Sequence, residues 1–335
     1  GELKKAEASF RTAATIKPDY AAAHNNLGAT LQDLGELEHA VSSYRMALKI
    51  KPGYSDAHSN LGNALNILGH FDESKAEFDQ GFRLRHGGAW WNAATYVDEN
   101  SANAIPVTKE IPTSAFKIRD TVDQLEYLIS KGCIDPSFGR LIDRYRTVLA
   151  EIQLMEKPEA VTKLTPGQLE HLGPSHNRVI HYVNAPRIDA STINGALDFE
   201  QIEDRYFSSP VSVTTLDDFL TPEALHRLRD FCLESTIFFT HTGNRFMSSN
   251  RINGFNCDLL CQIAEDVKEH FPRILGNHHL SNMWVYRYNN QTEGVAAHTD
   301  EGAVTFNFWI TPNDANLVPD RGGLIVYTKE QPPDW

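Results

Sequence analysis

Apolar side chains along this chain follow two periods, and each marks a different kind of element. Between Thr113 and Gly132, Phe116, Val122, Leu125, Leu128 and Ile129 fall on one face, predicting an amphipathic helix that ends at Gly132. Asp135-Pro136 opens a second helix whose buried stripe runs through Phe138, Leu141, Ile142, Tyr145, Val148, Leu149 and Ile152. These two helices are expected to pair. Thr221-Pro222 caps a third helix through about Glu234, with Leu225, Leu228, Phe231 and Cys232 on its stripe. A fourth spans about Asp258 to His270, burying Leu259, Leu260, Ile263, Ala264 and Val267. The period then drops to two. MWVYRY (283–288) reads as a strand, and AVTFNFWIT alternates Val304, Phe306, Phe308 and Ile310 against Thr305, Asn307 and Trp309. LIVY reads as a further strand, and VSVTTLDDFL (211–220) as an entry strand. Strands joined by turns, with helices gathered before them, predict a jelly-roll barrel packed on one side by helices. Residues 89–112 read as a linker, and 157–210 carry five prolines with little periodicity (Pro158, Pro166, Pro174, Pro186, Pro210).

The first 88 residues repeat themselves. Gly1, Gly35 and Gly69 recur at a spacing of 34, as do Phe10, Tyr44 and Phe78. Leu27-Gly28 returns as Leu61-Gly62, and Pro18 as Pro52. Small residues at 28, 40, 47 and 62 let helices approach closely, and the ring at 44 or 78 fills the space between them. This pattern resembles the tetratricopeptide repeat (TPR), a helix-turn-helix unit stacked into a superhelix. About two and a half repeats are visible, and the first lacks its opening helix, so the N-terminus is expected to be a cut inside a longer array. Asn26 and Asn60 occupy equivalent positions on the first helix of their repeats. In arrays resembling those of O-GlcNAc transferases, an asparagine ladder there grips peptide backbone, since an amide donates and accepts together. The resemblance thus implies a protein or peptide partner in the TPR groove; the bland alternative is that these residues cap or solvate the groove.

Composition narrows the class. A net charge of −13, with no long block of either sign, argues against nucleic acid as the partner. No window approaches 18 consecutive apolar residues, so no membrane span is expected. Cys133, Cys232, Cys257 and Cys261 form no CxxC pair and read as free thiols of a reducing cytoplasm. An upstream signal peptide stays open, because the chain starts at Gly1 without Met. His171, His176 and His181, at five-residue steps, do not share a helical face and read as ordinary surface or core histidines. His270, His278 and His279 read as packing or solvated residues.

Candidate chemistry sits in His298-Thr299-Asp300. A His and an Asp two apart on a strand project from the same face, offering two-thirds of a 2-His-1-carboxylate iron site. Tyr288 ten residues upstream, Gly294, the triplet, VTFNFWIT and GGLIVY together resemble the double-stranded β-helix of 2-oxoglutarate/Fe(II)-dependent oxygenases, near the prolyl-hydroxylase-like group. The resemblance covers about residues 211–335. It implies His298 and Asp300 as iron ligands, and Tyr288, Thr305 and Asn307 as contacts to 2-oxoglutarate, with barrel packing the plain alternative for Tyr288 and Thr305. Trp309 stands where relatives carry a tyrosine, but an indole donates without accepting. Fe(II), 2-oxoglutarate and ascorbate are the cofactors implied, and decarboxylation of 2-oxoglutarate coupled to C–H hydroxylation the reaction. No histidine follows His298, and no distal Arg or Lys can be assigned. The chain is therefore expected to be truncated at both ends, with an incomplete barrel, and inactive as it stands. The fold expected is α+β and multidomain: a TPR solenoid at 1–88, a helical connector at 89–210, and a partial oxygenase domain at 211–335. Three functions compete: a hydroxylase of protein or peptide presented by the repeats, a non-catalytic TPR scaffold with a degenerate oxygenase-like domain, and a small-molecule hydroxylase using the repeats for assembly.

Overall fold

The computed structural model describes residues 1–87, 112–157, 160–210, 212–242, 246–288 and 302–312. The repeats are built as their spacing requires: α1 (Glu2–Ile16), then the hairpin α2 (Ala21–Asp33) and α3 (Leu37–Ile50), then the hairpin α4 (Ser55–Ile67) and α5 (Phe71–His86). Gly35 and Gly69 turn each hairpin at positive φ (78° and 83°), a conformation that favours residues without a Cβ. Ala40 and Ala64 pack with Leu27, Leu31, Tyr44, Leu61 and Leu65 in one core, and Ala47 and Ala57 are buried too. The small residues have a measurable job. A Cβ on Gly28 would lie 2.6 Å from the Tyr44 ring, and one on Gly62 would lie 3.1 Å from the Phe78 ring. We expect Gly28→Ala to cost about 1–3 kcal/mol through overpacking, and Tyr44→Leu to recover part of that loss in the double variant. Urea unfolding of the four proteins checks this, and simple additivity would show that the contact is not limiting.

After the linker, β1 (Pro112–Thr113) leads into α6 (Ala115–Ser130), capped by the Ser114 hydroxyl accepting from the Lys117 amide at 3.2 Å. The helix stops at Gly132, at φ 72°. A 3-10 turn at Pro136–Phe138, capped by Asp135, starts α7 (Gly139–Gln153). The predicted stripes meet: Val122, Leu125 and Leu128 pack with Phe138, Leu141, Ile142, Tyr145, Val148 and Ile152 in one core. The stretch that lacked periodicity holds β2 (Thr162–Lys163), α8 (Pro166–Leu172) and α9 (Phe199–Ser208). α8 starts on a capping box, in which Thr165 and Gln168 satisfy each other's backbone amides. The next elements are α10 (Pro222–Glu234), β3 (Thr240–Thr242), β4 (Phe246–Asn250), α11 (Asp258–His270), α12 (Pro272–Leu275) and β5 (Trp284–Tyr288). β1 pairs antiparallel with β2, and β3-β4-β5 form an antiparallel sheet with Phe246 opposite Tyr288. None of the four cysteines forms a disulfide, and Cys232, Cys257 and Cys261 are buried. No helix among the described residues is long and apolar enough to cross a membrane.

Three expectations change. Residues 212–220 are not a strand; Ser212 and Asp218 sit at φ 48° and 51°, which breaks an extended run, and only Leu220 bridges, to Ile193. Residues 302–312 keep only part of the expected alternation and form no strand: Val304, Phe306 and Ile310 are half-buried and Thr305, Asn307 and Trp309 exposed, but Phe308, expected on the inward face, is exposed as well. On α10, Ala224 is buried and Leu225 is exposed, so the stripe passes one residue earlier. A jelly roll is therefore not formed among the described residues; LIVY lies outside them, as does the 89–111 part of the linker.

Contacts gather the chain into two units. One comprises Gly1–Asn184, Asp230–Asp258 and His279–Val295, and the other Ala185–Arg229, Leu259–His278 and Ala296–Trp335. The second unit is held by side chains that bind backbone. Gln262 brackets Ile188, and Asp266 accepts from Thr192 at its amide (2.6 Å) and hydroxyl (2.7 Å). The buried Glu203 accepts the amides of Arg273 and Ile274 at 2.8 and 3.0 Å. Phe306 and Phe308 pack on Phe219, and Phe306 also on Phe271.

Candidate functional site

The asparagines of the repeats form a relay rather than two independent grips. Asn60 donates to Asn25 Oδ1 at 3.0 Å, and the buried Asn25 donates in turn to Asn26 Oδ1 at 3.3 Å. Asn26 is exposed and Asn60 half-buried. The sequence singled out the equivalent pair but missed Asn25, one residue earlier, which links them across 34 positions. With its Oδ1 engaged by Asn25, the exposed Asn26 amide group keeps two protons to donate.

The last repeat is closed by the chain itself. Segment 250–258 lies against α4 and α5, with Arg251 at its centre, 2% exposed. The Arg251 guanidinium stacks over the Phe78 ring at 4.8 Å and donates to Asn66 Oδ1 and, at 3.2 and 3.1 Å, to Asn256 Oδ1. Asn66 donates onward to the Leu280 carbonyl. Asn256 gives its own amide protons to the Lys75 carbonyl and to Asp79 Oδ1 (3.0 and 2.8 Å), and Tyr182 reaches the Asn256 carbonyl at 2.5 Å. Gly254, at φ 99°, lets the backbone approach Phe82 where a Cβ would stand 2.5 Å from the ring. A solenoid end needs a cap because its last hydrophobic face has no following repeat. Here that face is covered by a polar and aromatic plug from far along the chain. No local pattern flagged Arg251, since the Asn66 it joins to Asn256 lies 185 residues away in the sequence.

β5 presents its two faces differently. Arg287 turns toward α6 and holds Asp120 through two bonds of 3.0 Å, while stacking on Phe238 at 4.1 Å. Tyr286 and Tyr288 occupy the other face against Phe246, at 5.1 and 6.1 Å, and Tyr288 remains 55% exposed. Partial burial raises the Tyr288 phenol above its usual value. Tyr288, proposed as a 2-oxoglutarate contact, thus stands at the strand end on an accessible face. Thr305 and Asn307 are exposed in a segment without strand pairing, which does not bring them into a barrel pocket. His298 and Asp300 lie outside the described residues. Among the described residues no three His, Cys, Asp or Glu side chains come together to hold a metal ion.

Residues 21–54 match the family model for the tetratricopeptide repeat. No curated protein matches the chain.

Proposed function

We propose that this chain is a protein- or peptide-binding TPR module joined to an oxygenase that uses 2-oxoglutarate and Fe(II), the repeats presenting the polypeptide to be hydroxylated. The binding half is supported by the matched repeat and by the Asn25-Asn26-Asn60 relay, which orients an exposed amide along the first helices of the array. The observation that carries the oxygenase half is β5. It forms where the pattern placed it, pairs antiparallel with β4, and ends on Tyr288, ten residues before His298-Thr299-Asp300. When bound, iron and 2-oxoglutarate would supply the oxidising chemistry, and the protein's part is to orient both and the substrate.

A scaffold without catalysis is the second reading, favoured by residues 302–312, whose exposed Thr305 and Asn307 lack the strand that a cosubstrate pocket requires. One experiment separates them. The natural full-length protein is expected to gain several degrees of melting temperature on anaerobic addition of Fe(II), and to convert 2-oxoglutarate to succinate when a peptide substrate is present. Both responses should vanish in His298→Ala. Retention of peptide binding, lost in Asn26→Ala/Asn60→Ala, with no Fe(II) response at all, would leave the scaffold reading standing and the oxygenase reading refuted.

A further inference from the structure

A cavity between α6 and the loop 175–178 is built from none of the residues the preceding reading uses. It offers about 30 Å³ to the centres of water-sized molecules, and Lys117, Asp120, His176, Asn177 and Arg178 are among its lining. That is room for roughly two waters, or one group of about four heavy atoms. Most polar groups of the wall are already engaged. Thr121 donates to the Lys117 carbonyl at 2.9 Å, Gln124 to the carbonyls of Leu233 and Ser235, and Thr236 to that of His181. Asp120, the one acid of the lining, is held by Arg287.

Two buried nitrogens are different. His176 Nε2 and Asn177 Nδ2 have no hydrogen-bond partner among the described residues, and His176 is only 9% exposed. A buried polar nitrogen without a partner has given up its hydration for nothing in return, so such atoms call for an occupant. The orientation of Asn177 is fixed by chemistry. Its Oδ1 must face Lys117 Nζ, because an ammonium only donates, and this leaves the NH2 group as a donor. Asn177 is itself pinned at φ 56°, with its carbonyl accepting from His86 at 2.9 Å. Lys117 spends one proton on Asn177 and one on the Phe239 carbonyl at 2.9 Å, and an ammonium has a third.

We infer that this cavity binds a small carboxylate, received by Lys117 Nζ, His176 Nε2 and Asn177 Nδ2. Lys117 and Asn177 bring donors to it, His176 adds a third in the tautomer that carries its proton on Nε2, and the single acid of the lining is already committed, so an anion completes the hydrogen bonding. The size admits a carboxyl group and little more. The charge balance agrees: burial pulls the Lys117 ammonium down to about 7 in spite of the nearby Asp120 carboxylate, as expected for a cation lacking sufficient counter-charge.

The test uses the whole chain in metal-free buffer, with sodium acetate, sodium phosphate and sodium chloride at matched ionic strength. Acetate is expected to raise the melting temperature saturably, and phosphate no more than chloride. Acetate affinity should fall by about tenfold or more in Lys117→Met and in His176→Leu, in line with losing a hydrogen bond to a charged group. Should a variant fail to fold, nitrogen NMR of the unaltered protein decides, since acetate should convert His176 Nε2 into a slowly exchanging donor. Equal shifts with all three salts, an acetate response that survives both substitutions, or an unchanged His176 ring signal would each overturn the assignment and leave the cavity to water.

Discussion

Arg251→Ala is expected to destabilise the repeat-bearing unit by about 3–5 kcal/mol, the range for breaking a buried charged network. Three consequences add. The guanidinium leaves Phe78, Asn66 loses the donor to its Oδ1, and Asn256 loses two donors while staying tied to Lys75 and Asp79. Orphaning those buried amides carries their full desolvation cost, which exceeds the net worth of the bonds themselves. Arg251→Lys keeps the charge but cannot make the planar fork that bridges two asparagines, so it should recover only part of the loss. Equilibrium urea unfolding measures both. A change below about 1 kcal/mol for Arg251→Ala, the range of ordinary surface substitutions, would mean that segment 250–258 does not cap the array.

The second large effect is acid sensitivity well above the carboxylate range. Burial holds His86 neutral down to about 4 and His176 down to about 3. His86 stacks on Phe239 at 4.0 Å and is faced by Arg85 and Lys117; His176 is faced by Lys117 and His241. In the unfolded chain both take a proton near pH 6.5. Below that value the unfolded state binds more protons than the native one, so stability rises with pH across the interval and is lost as pH falls from about 6.5 toward 4. Each histidine withholds on the order of 3 kcal/mol by pH 4. His58 works in the opposite direction. Its burial is outweighed by the hydrogen bond to Glu77 and by the Pro52 carbonyl, which together raise its affinity for a proton. Its contribution is therefore fully present below pH 6.5 and lost as pH rises through its folded value, so it stays constant while the other two histidines destabilise the fold. Thermal unfolding between pH 7 and 4.5 should show a steep fall in the unaltered protein, and a shallower one in His176→Leu. A flat profile to pH 4.5 would rule out the buried neutral histidines as its source.

The contrast between the legible and the illegible parts of this chain follows sequence distance. The repeats could be read because Gly28 meets Tyr44 and Gly62 meets Phe78 within one hairpin, so complementary sizes recur in register. The pairing of α6 with α7 was legible for the same reason, since both stripes belong to helices joined by a short turn. β5 was visible in its aromatic and β-branched run, yet its partners β3 and β4 were not, because THT and FMSSN carry no clean alternation and rely on the sheet for their conformation. The strand expected at 303–311 fails instructively. Alternation sets which side chains turn inward, and Phe306 does turn toward Phe219 and Phe271, but a strand also needs a neighbouring ladder to satisfy its backbone.

The sequence alone therefore determined the local units: helical hairpins from a spacing of 34, the helix stripes and caps, and the edge residues of β5. Tertiary structure decided what joins them. It placed Arg251 between Asn66 and Asn256, turned Asn60 back onto Asn25, and brought His176 and Asn177 beside Lys117 around a cavity. The physical reason is common to all three. Apolar periodicity is written within a few turns of chain and survives in sequence, whereas buried polar partners are selected by the geometry of distant segments and leave no local period to read.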